Sequence, residues 1–367
     1  MNHKKSNVES VNTPLNKITL PDLSKVEFSY SNPVISTNNF NDLLKKNASG
    51  IYQLFDLSGQ FIAVVFLSKK REKLYFMSSE KLEIEEIIKQ AIDKALIKRE
   101  SLATEYPCFR LIDQYHDYLP AIIIEKYDAI YTLTSTLEAM DIYIPTLKDI
   151  LIQKFKPQAI WLKNHHVSRV KDNAELSDTM LYGNLPDSNI FITENDNIFN
   201  YDLENTSLYP LDKRFLRRHL NSYLEDKKTD ALLINVQVSF HLSKKHTSLK
   251  DKIDSINEKQ QSFTDINIAL RNSTKNYGFI ALSIPFIPIT DKNRTALVHL
   301  FLNLLKRMAT DCDLILECYQ WQKIKSLLRL AVKKSGRNLH VLDTKAPEID
   351  FANTNNPLSY VHCQLQN

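Results

Sequence analysis

Residues 279–288, FIALSIPFIP, form a nearly continuous apolar run that ends in a proline turn. Such a run predicts a buried strand, and residues 231–238, ALLINVQV, predict a second one. Helical and strand-like segments then alternate toward the end of the chain: NRTALVHLFLNLLKRMATD (293–311), DLILECY (313–319), WQKIKSLLRLAVKKSG (321–336) and NLHVLD (338–343). Alternation of this kind is typical of a parallel sheet covered by helices. We therefore predict an α/β domain over residues 201–367.

The first half of the chain has a different pattern. Residues 50–80 contain short apolar strands separated by turn residues, which predicts a small β-barrel-like domain over residues 26–79. Strand and helix patterns continue after it and predict a central α/β domain over residues 80–200. Residues 1–25 are polar and lack periodicity, so we expect a flexible arm there.

Composition excludes several protein classes. The chain has 367 residues, of which 43% are hydrophobic and 25% charged, which is enough to build ordinary globular cores. No apolar run is long enough for a transmembrane helix, and the N-terminus has no apolar signal segment. The four cysteines lack metal-type spacing, so we expect reduced thiols, a cytoplasmic protein and no metal site. No P-loop or nucleophile-elbow motif occurs in the sequence.

Glycine is scarce. The chain has 5 glycines, whereas average usage would give about 26. Glycine is favoured where a backbone must approach a phosphate or cofactor closely. The sequence therefore offers little material for a glycine-rich nucleotide loop.

Basic residues occur in clusters although the net charge is only +4. The clusters lie at 69–71, 213–219, 244–246 and 323–337. One interpretation is phosphate contact with a nucleic acid. The alternative is solvated helix faces without a partner.

Several landmarks occur in an order that resembles one protein family. They are DLSGQFIAVVFLSKKREKLYFMS (56–78), Arg99 with FRL (109–111), DYLPAI (117–122) with EKY (125–127), SLYPLDKRFLRR (207–218), and Asn356-Pro357 with Tyr360. In this order they are similar to the PUA-domain rRNA methyltransferases of the ribosomal large subunit methyltransferase I family, and the resemblance covers nearly the whole chain after residue 25. Family glycines are replaced by Tyr118, Ala121 and Leu208.

The resemblance implies a three-domain organisation. It has a PUA domain, a central α/β substrate-binding domain and a C-terminal Rossmann-like domain for S-adenosylmethionine (SAM). It also implies RNA as partner, SAM as cofactor, and Asp212, Arg214 and Asp254 as cofactor-binding residues. For Asp254, an exposed acid at a helix start is the alternative.

The SAM motifs depart from the family pattern. LINVQVSFHL (233–242) has no glycine, and Val238 and Phe240 would obstruct a cofactor that approaches the backbone. Ser283 and Ile284, followed by Pro285, take the places of the family's Asp-Pro-Pro. The short interval between residues 238 and 279 predicts the loss of a βα unit, and thus an eroded sheet.

Cys318 takes the place of the family nucleophile. Cytosine-C5 methylation requires a thiolate that attacks C6 of the base. The alternative for Cys318 is a small buried residue at a strand end. Glu317 beside it would raise the pKa of the thiol if both faced one pocket.

These observations favour an RNA-binding member of the class I SAM-dependent 23S rRNA (cytosine-C5) methyltransferase family in which catalysis is reduced or lost. An active enzyme with divergent motifs and a protein-interaction scaffold remain alternatives. The predicted phosphate contacts are Lys69, Lys70, Arg71, Arg214, Arg217 and Arg218. For Arg214, an ion pair with Asp212 or Glu225 is the alternative.

Overall fold

A computed structural model describes most of the chain and divides it into two compact units. The described residues are 15–20, 29–37, 41–185, 190–201, 211–226, 230–236, 242–256, 263–284, 290–345 and 358–366. The N-terminal unit comprises Met1–Asp187 and the C-terminal unit comprises Ser188–Asn367. Several predicted landmarks lie outside the described residues: Leu208, Val238, Phe240, Pro285, Asn356 and Pro357, with most of the predicted arm.

The first sheet of the N-terminal unit is open. Its elements are β1 (Asn16–Thr19), β2 (Val34–Ser36), α1 (Asn41–Lys46), β3 (Gly50–Phe55), β4 (Phe61–Ser68) and β5 (Lys73–Ser78). The strand order is β1-β3-β4-β5-β2, with only β1 and β3 parallel. Among the described residues the edge strands β1 and β2 do not pair with each other. The predicted barrel-like unit is therefore present as an open five-stranded sheet, because no pairing closes it.

The second sheet of the N-terminal unit is mixed. Its elements are α2 (Ile84–Lys98), α3 (Glu100–Glu105), β6 (Cys108–Asp113), β7 (Ile122–Tyr127), β8 (Ile130–Ser135), α4 (Ile144–Phe155), β9 (Ala159–Lys163), α5 (Val167–Lys171) and β10 (Asp178–Gly183). The strand order is β10-β9-β8-β7-β6, and only β8 and β9 are parallel. One continuous apolar core joins this sheet, helices α2 and α4, and one face of the first sheet. A smaller core covers the other face of the first sheet.

The C-terminal unit is the predicted α/β domain. Its elements are β11 (Ile190–Glu194), β12 (Asn197–Tyr201), α6 (Arg214–Asp226), β13 (Ala231–Ile234), β14 (Ile253–Ile256), α7 (Phe263–Asn272), β15 (Tyr277–Ile284), α8 (Asp291–Arg307), β16 (Met308–Tyr319), α9 (Trp321–Ser335), β17 (Asn338–Lys345) and β18 (Leu358–Gln366). Strands β11 and β12 form a separate hairpin. The main sheet has the order β14-β13-β15-β16-β18-β17. Its first four strands are parallel and its last two pair antiparallel.

Helices cover both faces of this sheet. Alternate residues of each strand point to opposite faces, so Leu314 and Leu316 enter the core shared with α7, α8 and α9. Ile315 instead enters the core shared with α6. On that side Tyr223 of α6 lies 5.1 Å from the Phe279 ring, measured between ring centroids. The central strands are buried on both faces, which explains why their sequences are continuous apolar runs.

The interval between β13 and β15 contains one strand, β14, among its described residues. The resemblance implied two strands there, and the loss of a βα unit stays a prediction.

In the part of the chain that the structure describes, no helix combines the length and apolar character needed to span a membrane.

Candidate functional site

Polar side chains converge where the parallel strands of the C-terminal sheet end. The carboxyl ends of β13, β15 and β16 meet at one edge, which is where open α/β sheets bind ligands. Asn235 follows β13, and its Nδ2 donates to the Ser283 carbonyl oxygen of β15 at 3.3 Å. Ser283 lies directly opposite Glu317 of β16 in the strand register. Gln320 directly follows β16, before α9. We call Lys213, Asn235, Ser283, Glu317 and Gln320 the carboxyl-edge cluster.

Lys213 joins this cluster from the residues just before α6. Its ammonium forms an ion pair with the Glu317 carboxylate and lies 3.4 Å from the Asp212 carboxylate. Tyr360 of β18 pairs with Glu317 in register, and its hydroxyl donates to the Asp212 carbonyl oxygen. Lys213 of the cluster is therefore held between two acids, Asp212 and Glu317.

Burial controls the electrostatics of the cluster. Burial raises the pKa of the Glu317 carboxyl, while Lys213 and Ser283 oppose that rise. Burial disfavours the charged form of Lys213, but Asp212 and Glu317 outweigh it and hold the pKa of the ammonium above its usual value. The pKa of the Tyr360 hydroxyl is raised by burial and further by Glu317 and Asp212. A site of this kind strengthens any hydrogen bond made inside it, because the local dielectric is low.

Three buried acceptor atoms of the cluster have no hydrogen-bond partner among the described residues. They are Asn235 Oδ1, Glu317 Oε2 and Gln320 Oε1. An unsatisfied buried acceptor costs about 1–3 kcal/mol. Asn235 and Gln320 also hold a positive φ, at 58° and 56°. The cluster is thus able to accept hydrogen bonds from a ligand that carries amine hydrogens.

Cys318 does not join this cluster. It pairs with Ile284 in register, one residue beyond the pairing of Ser283 with Glu317. Its side chain therefore points to the opposite face of β16, into the apolar core beneath α7, α8 and α9. Burial raises the pKa of the Cys318 thiol to about 12, and the Glu317 charge adds to the shift. At neutral pH the group is a buried thiol, not a thiolate.

The residues predicted to bind the cofactor occupy separate places. Asp254 lies in β14 opposite Leu232, where it accepts from the Tyr277 hydroxyl at 2.8 Å and pairs with Lys275 at 3.0 Å. Tyr277 begins β15 and Ser283 lies near its end, so Asp254 is at the amino end of the strands and belongs to a strand, not a helix start. Arg214 is buried in the first turn of α6. Asp212 is the one that reaches the carboxyl-edge cluster.

Of the predicted phosphate contacts, two are buried and four have access to solvent. Arg217 is 0% exposed, donates to Glu194 at 2.7 Å and lies 5.7 Å from the centre of the Phe199 ring. Arg214 is likewise buried, so the two guanidinium groups that were predicted to meet RNA point inward. The reason is the amphipathic pattern of α6, whose buried face includes both arginines.

The remaining predicted contacts keep access to solvent. Arg218 is partly exposed, and so is Arg71 of the N-terminal unit. Lys69 and Lys70 are exposed, although Lys70 Nζ donates to the Asp172 carbonyl oxygen at 2.6 Å.

Lys213, Asn235, Glu317 and Gln320 were not predicted as parts of one site. A charged residue inside an apolar strand, as in DLILECY (313–319), is the signal that points to such a site, because a buried carboxylate requires a partner.

Within the described residues no group of three or more His, Cys, Asp or Glu side chains could hold a metal ion.

Comparison with known proteins finds sequence relatives for part of the chain. No family model matches the chain. A segment of 141 residues is 30% identical to a ribosomal RNA large subunit methyltransferase I from Shewanella amazonensis. The match spans 38% of this chain and 34% of that relative's length. This segment is homologous to the rRNA methyltransferase.

Two solved structures match nearly the whole chain. A Streptococcus mutans protein described as a SAM-dependent methyltransferase matches with a TM-score of 0.72 and 15% identity, over 95% of this chain and 100% of that one. SMU.776, described as a methyltransferase and complexed with SAH, matches with a TM-score of 0.69 and 15% identity, over the same shares. The chain therefore has the mixed α/β, multi-sheet fold of these two structures.

SAM is the cofactor named in the description of the Streptococcus mutans structure. Its ammonium and adenine amino groups are hydrogen-bond donors that require acceptors. The unpartnered acceptors of Asn235, Glu317 and Gln320 at the carboxyl edge fit such donors. Asp254 does not contribute to that fit, because Lys275 and Tyr277 already engage its carboxylate at the other end of the strands.

Proposed function

We propose that this protein binds RNA on a SAM-methyltransferase fold, and that cytosine-C5 methyl transfer is reduced or lost. The homologous segment supports an RNA partner of the rRNA class, since that relative is an rRNA methyltransferase. The target would be 23S rRNA. The N-terminal sheet would act as a PUA-like module over residues 26–79, with a central substrate-binding domain over 80–200 and a methyltransferase-type domain over 201–367.

The placement of Cys318 carries this proposal. A C5 methyltransferase needs a thiolate next to the base. Cys318 is 0% exposed and faces the apolar core on the side of β16 opposite Ser283 and Glu317. Ser283 cannot supply the negative charge of the aspartate that the family places there. Neither residue is therefore equipped for the family's reaction.

Cofactor binding is a separate part of the proposal. Asn235, Glu317 and Gln320 would hold SAM through its amine hydrogens, and Lys213 would keep the Glu317 carboxylate oriented. When bound, SAM would supply the methyl group. Arg218, Lys69, Lys70 and Arg71 are the phosphate contacts that remain from the sequence prediction.

The test measures binding and transfer separately. Isothermal titration with SAM, filter binding of bulk rRNA, and methyl transfer from labelled SAM to that rRNA are run on the wild type and on Cys318→Ala. We expect RNA binding without 5-methylcytosine formation. Formation of 5-methylcytosine that disappears in Cys318→Ala would overturn the proposal.

An active enzyme with divergent motifs is the second candidate. The unpartnered acceptor atoms of Asn235, Glu317 and Gln320 favour this candidate. A site that can still accept hydrogen bonds from amine groups can still position a cofactor and a base. Methyl transfer that survives Cys318→Ala and falls in Glu317→Gln would support this candidate. Failure of the wild type to bind RNA at low salt would instead support a protein-interaction scaffold.

A further inference from the structure

Positive charge without matching acids is concentrated on three helices of the C-terminal unit. Helices α7, α8 and α9 carry ten Lys and Arg residues against two acids, Asp265 and Asp291. Their net charge is thus +8, although the whole chain carries only +4. The rest of the protein is therefore net acidic, and the basic charge is concentrated on these helices. We call α7, α8 and α9 the basic helix layer.

The packing of these helices turns the charges outward. All three bury their apolar sides in one core against one face of the main sheet. Helix α7 is tied to α8 through Asn267, whose Oδ1 accepts from Asn303 Nδ2 at 2.7 Å. Eight of the ten cations are exposed on the outer surface: Arg271, Lys292, Arg294, Lys306, Lys323, Arg329, Lys333 and Lys334.

These cations are not neutralised by neighbouring acids. In the described part of the chain, none of the ten Lys and Arg residues of the basic helix layer has a carboxylate within salt-bridge distance. Other lysines of the same unit are paired: Lys245 with Glu225 at 2.6 Å, Lys275 with Asp254 at 3.0 Å and Lys345 with Asp343 at 3.4 Å. Unpaired like charges repel one another unless a polyanion or salt screens them.

A groove between α7 and α8 gives the layer a shaped receptor for anions. Its volume is about 580 Å³. Arg271, Lys292 and His299 line it together with the hydroxyls of Thr264 and Thr295. Asp291 is the one carboxylate in the lining. The two cations, Arg271 and Lys292, therefore outnumber the one carboxylate of the lining, which suits phosphate oxygens.

The size of the layer favours a nucleic acid over a small anion. Along α9 the cations extend from Lys323 to Lys334, which is roughly 16 Å at the helical rise. A surface of that length spans several consecutive phosphates of a duplex. Backbone contacts of this kind supply affinity without reading sequence.

We propose that the basic helix layer binds the phosphate backbone of an RNA duplex. This inference rests on the proposed RNA binding and assigns it to a surface other than the sequence-predicted arginines of α6. The groove between α7 and α8 holds one strand's phosphates, and α9 follows the backbone beside it.

The test compares two triple variants with equal loss of charge. The first is Lys292→Gln, Lys323→Gln and Lys333→Gln, which removes unpaired cations of the layer. The matched control is Lys245→Gln, Lys275→Gln and Lys345→Gln, which removes paired cations of the same unit. Filter binding of an rRNA-derived duplex is measured over a range of KCl concentrations, and a thermal melt establishes that each variant is folded.

The first variant should lose up to about 2.7 units of the slope of log K against log salt, at about 0.9 for each duplex phosphate contact. The control should stay close to the wild-type slope. Equal slopes for both variants and the wild type would overturn the inference while leaving RNA binding intact. A wild type that binds no RNA would overturn the proposed function as well. Binding of phosphatidylserine vesicles in place of RNA, lost in the first variant, would assign the layer to membranes and also overturn the inference.

Discussion

At the residue scale, a landmark of the sequence proves to be a structural ion pair. Arg99, at the end of α2, is 0% exposed and forms two hydrogen bonds with Asp117, at 2.9 and 2.6 Å. Asp117 also accepts from the Asp113 backbone N–H at 2.7 Å. Burial alone would raise the pKa of Asp117, but Arg99 and Lys98 hold it below the usual value. The pair therefore fixes α2 against the turn after β6.

We predict that Asp117→Asn lowers the free energy of unfolding by about 3 kcal/mol at pH 7, because it leaves the Arg99 charge buried without its partner. The folded-state pKa of Asp117 is depressed, so its contribution is present above the unfolded pKa and is lost as the pH falls through the folded pKa. Urea unfolding between pH 7 and pH 3 should show the difference between mutant and wild type closing in acid. Asp149→Asn, at an exposed pair with Lys148, is the control. A difference that persists unchanged at the lowest pH would contradict the prediction.

Ser283 offers a second prediction at this scale. We expect Ser283→Asp with Ile284→Pro to restore no methyl transfer. Ser283 lies opposite Glu317, so an aspartate there sets two carboxylates side by side in a buried site, where one of them takes a proton. The variant should be less stable by a few kcal/mol, and labelled SAM should transfer nothing to rRNA. Turnover in the variant alone would show that the cluster tolerates and uses the second acid.

At the scale of elements, α6 and the β11–β12 hairpin form one unit through charged and amide groups. Arg214, Arg217 and Arg218 lie three or four residues apart, as expected for one side of a helix, and two of the three face inward. Arg217 pairs with Glu194 of β11. Asn221, one turn further, accepts from the Ser243 backbone N–H at 3.0 Å. The side of α6 that the spacing marks as basic is thus largely a packing surface.

We predict that Glu194→Gln lowers the free energy of unfolding by about 3 kcal/mol, since it leaves the Arg217 charge buried without its carboxylate. Amide hydrogen exchange should accelerate across Ile190–Glu194 and Asn197–Tyr201, while RNA affinity stays at the wild-type level. Glu225→Gln, which breaks an exposed pair with Lys245, should change stability by less than about 1 kcal/mol. A marked loss of RNA affinity in Glu194→Gln without a loss of stability would return Arg217 to the list of phosphate contacts.

At the scale of the whole molecule, the chain forms two compact units with separate apolar cores. Two of the cores lie within Met1–Asp187 and two within Ser188–Asn367. Each unit is within the size range of an autonomous domain.

The scarcity of glycine also has a consequence at this scale, because Tyr118 and Ala121 hold φ values of 60° and 62° where the family has glycine. A non-glycine residue in that conformation costs about 1–2 kcal/mol, so the surrounding packing must impose it.

We predict that residues 1–187 and residues 188–367, produced separately, each unfold in a cooperative transition, because each contains its own cores. Thermal unfolding followed by circular dichroism checks this, with the full chain as control. A half that shows no cooperative transition would mean that its core requires the other half.

The sequence by itself determined the α/β pattern of the C-terminal unit. Residues 279–284 and 313–319 lie in strands, and the segments at 293–311 and 321–336 are mainly helical. These elements follow from the sequence because hydrophobic periodicity is a local property that every residue of a run repeats. The resemblance also showed that Tyr118 and Ala121 stand where the family has glycine, but their positive φ values emerged only from the structure. The barrel was not predicted correctly, because closure depends on pairing between distant strand edges, which local periodicity does not encode.

Only the tertiary structure decided which chemistry each residue can perform. Glu317 and Cys318 are neighbours in one strand, so they point to opposite faces of the sheet. Helix α6 packs on one face of the sheet, and α7, α8 and α9 pack on the other. Glu317 therefore belongs to a polar cluster, whereas Cys318 belongs to an apolar core. The pairing of Lys213 with Glu317 joins residues far apart in the sequence, and the burial of Arg217 depends on a hairpin that precedes it. Sequence spacing cannot give these contacts, because the strand register and the side on which each helix packs are set by the fold as a whole.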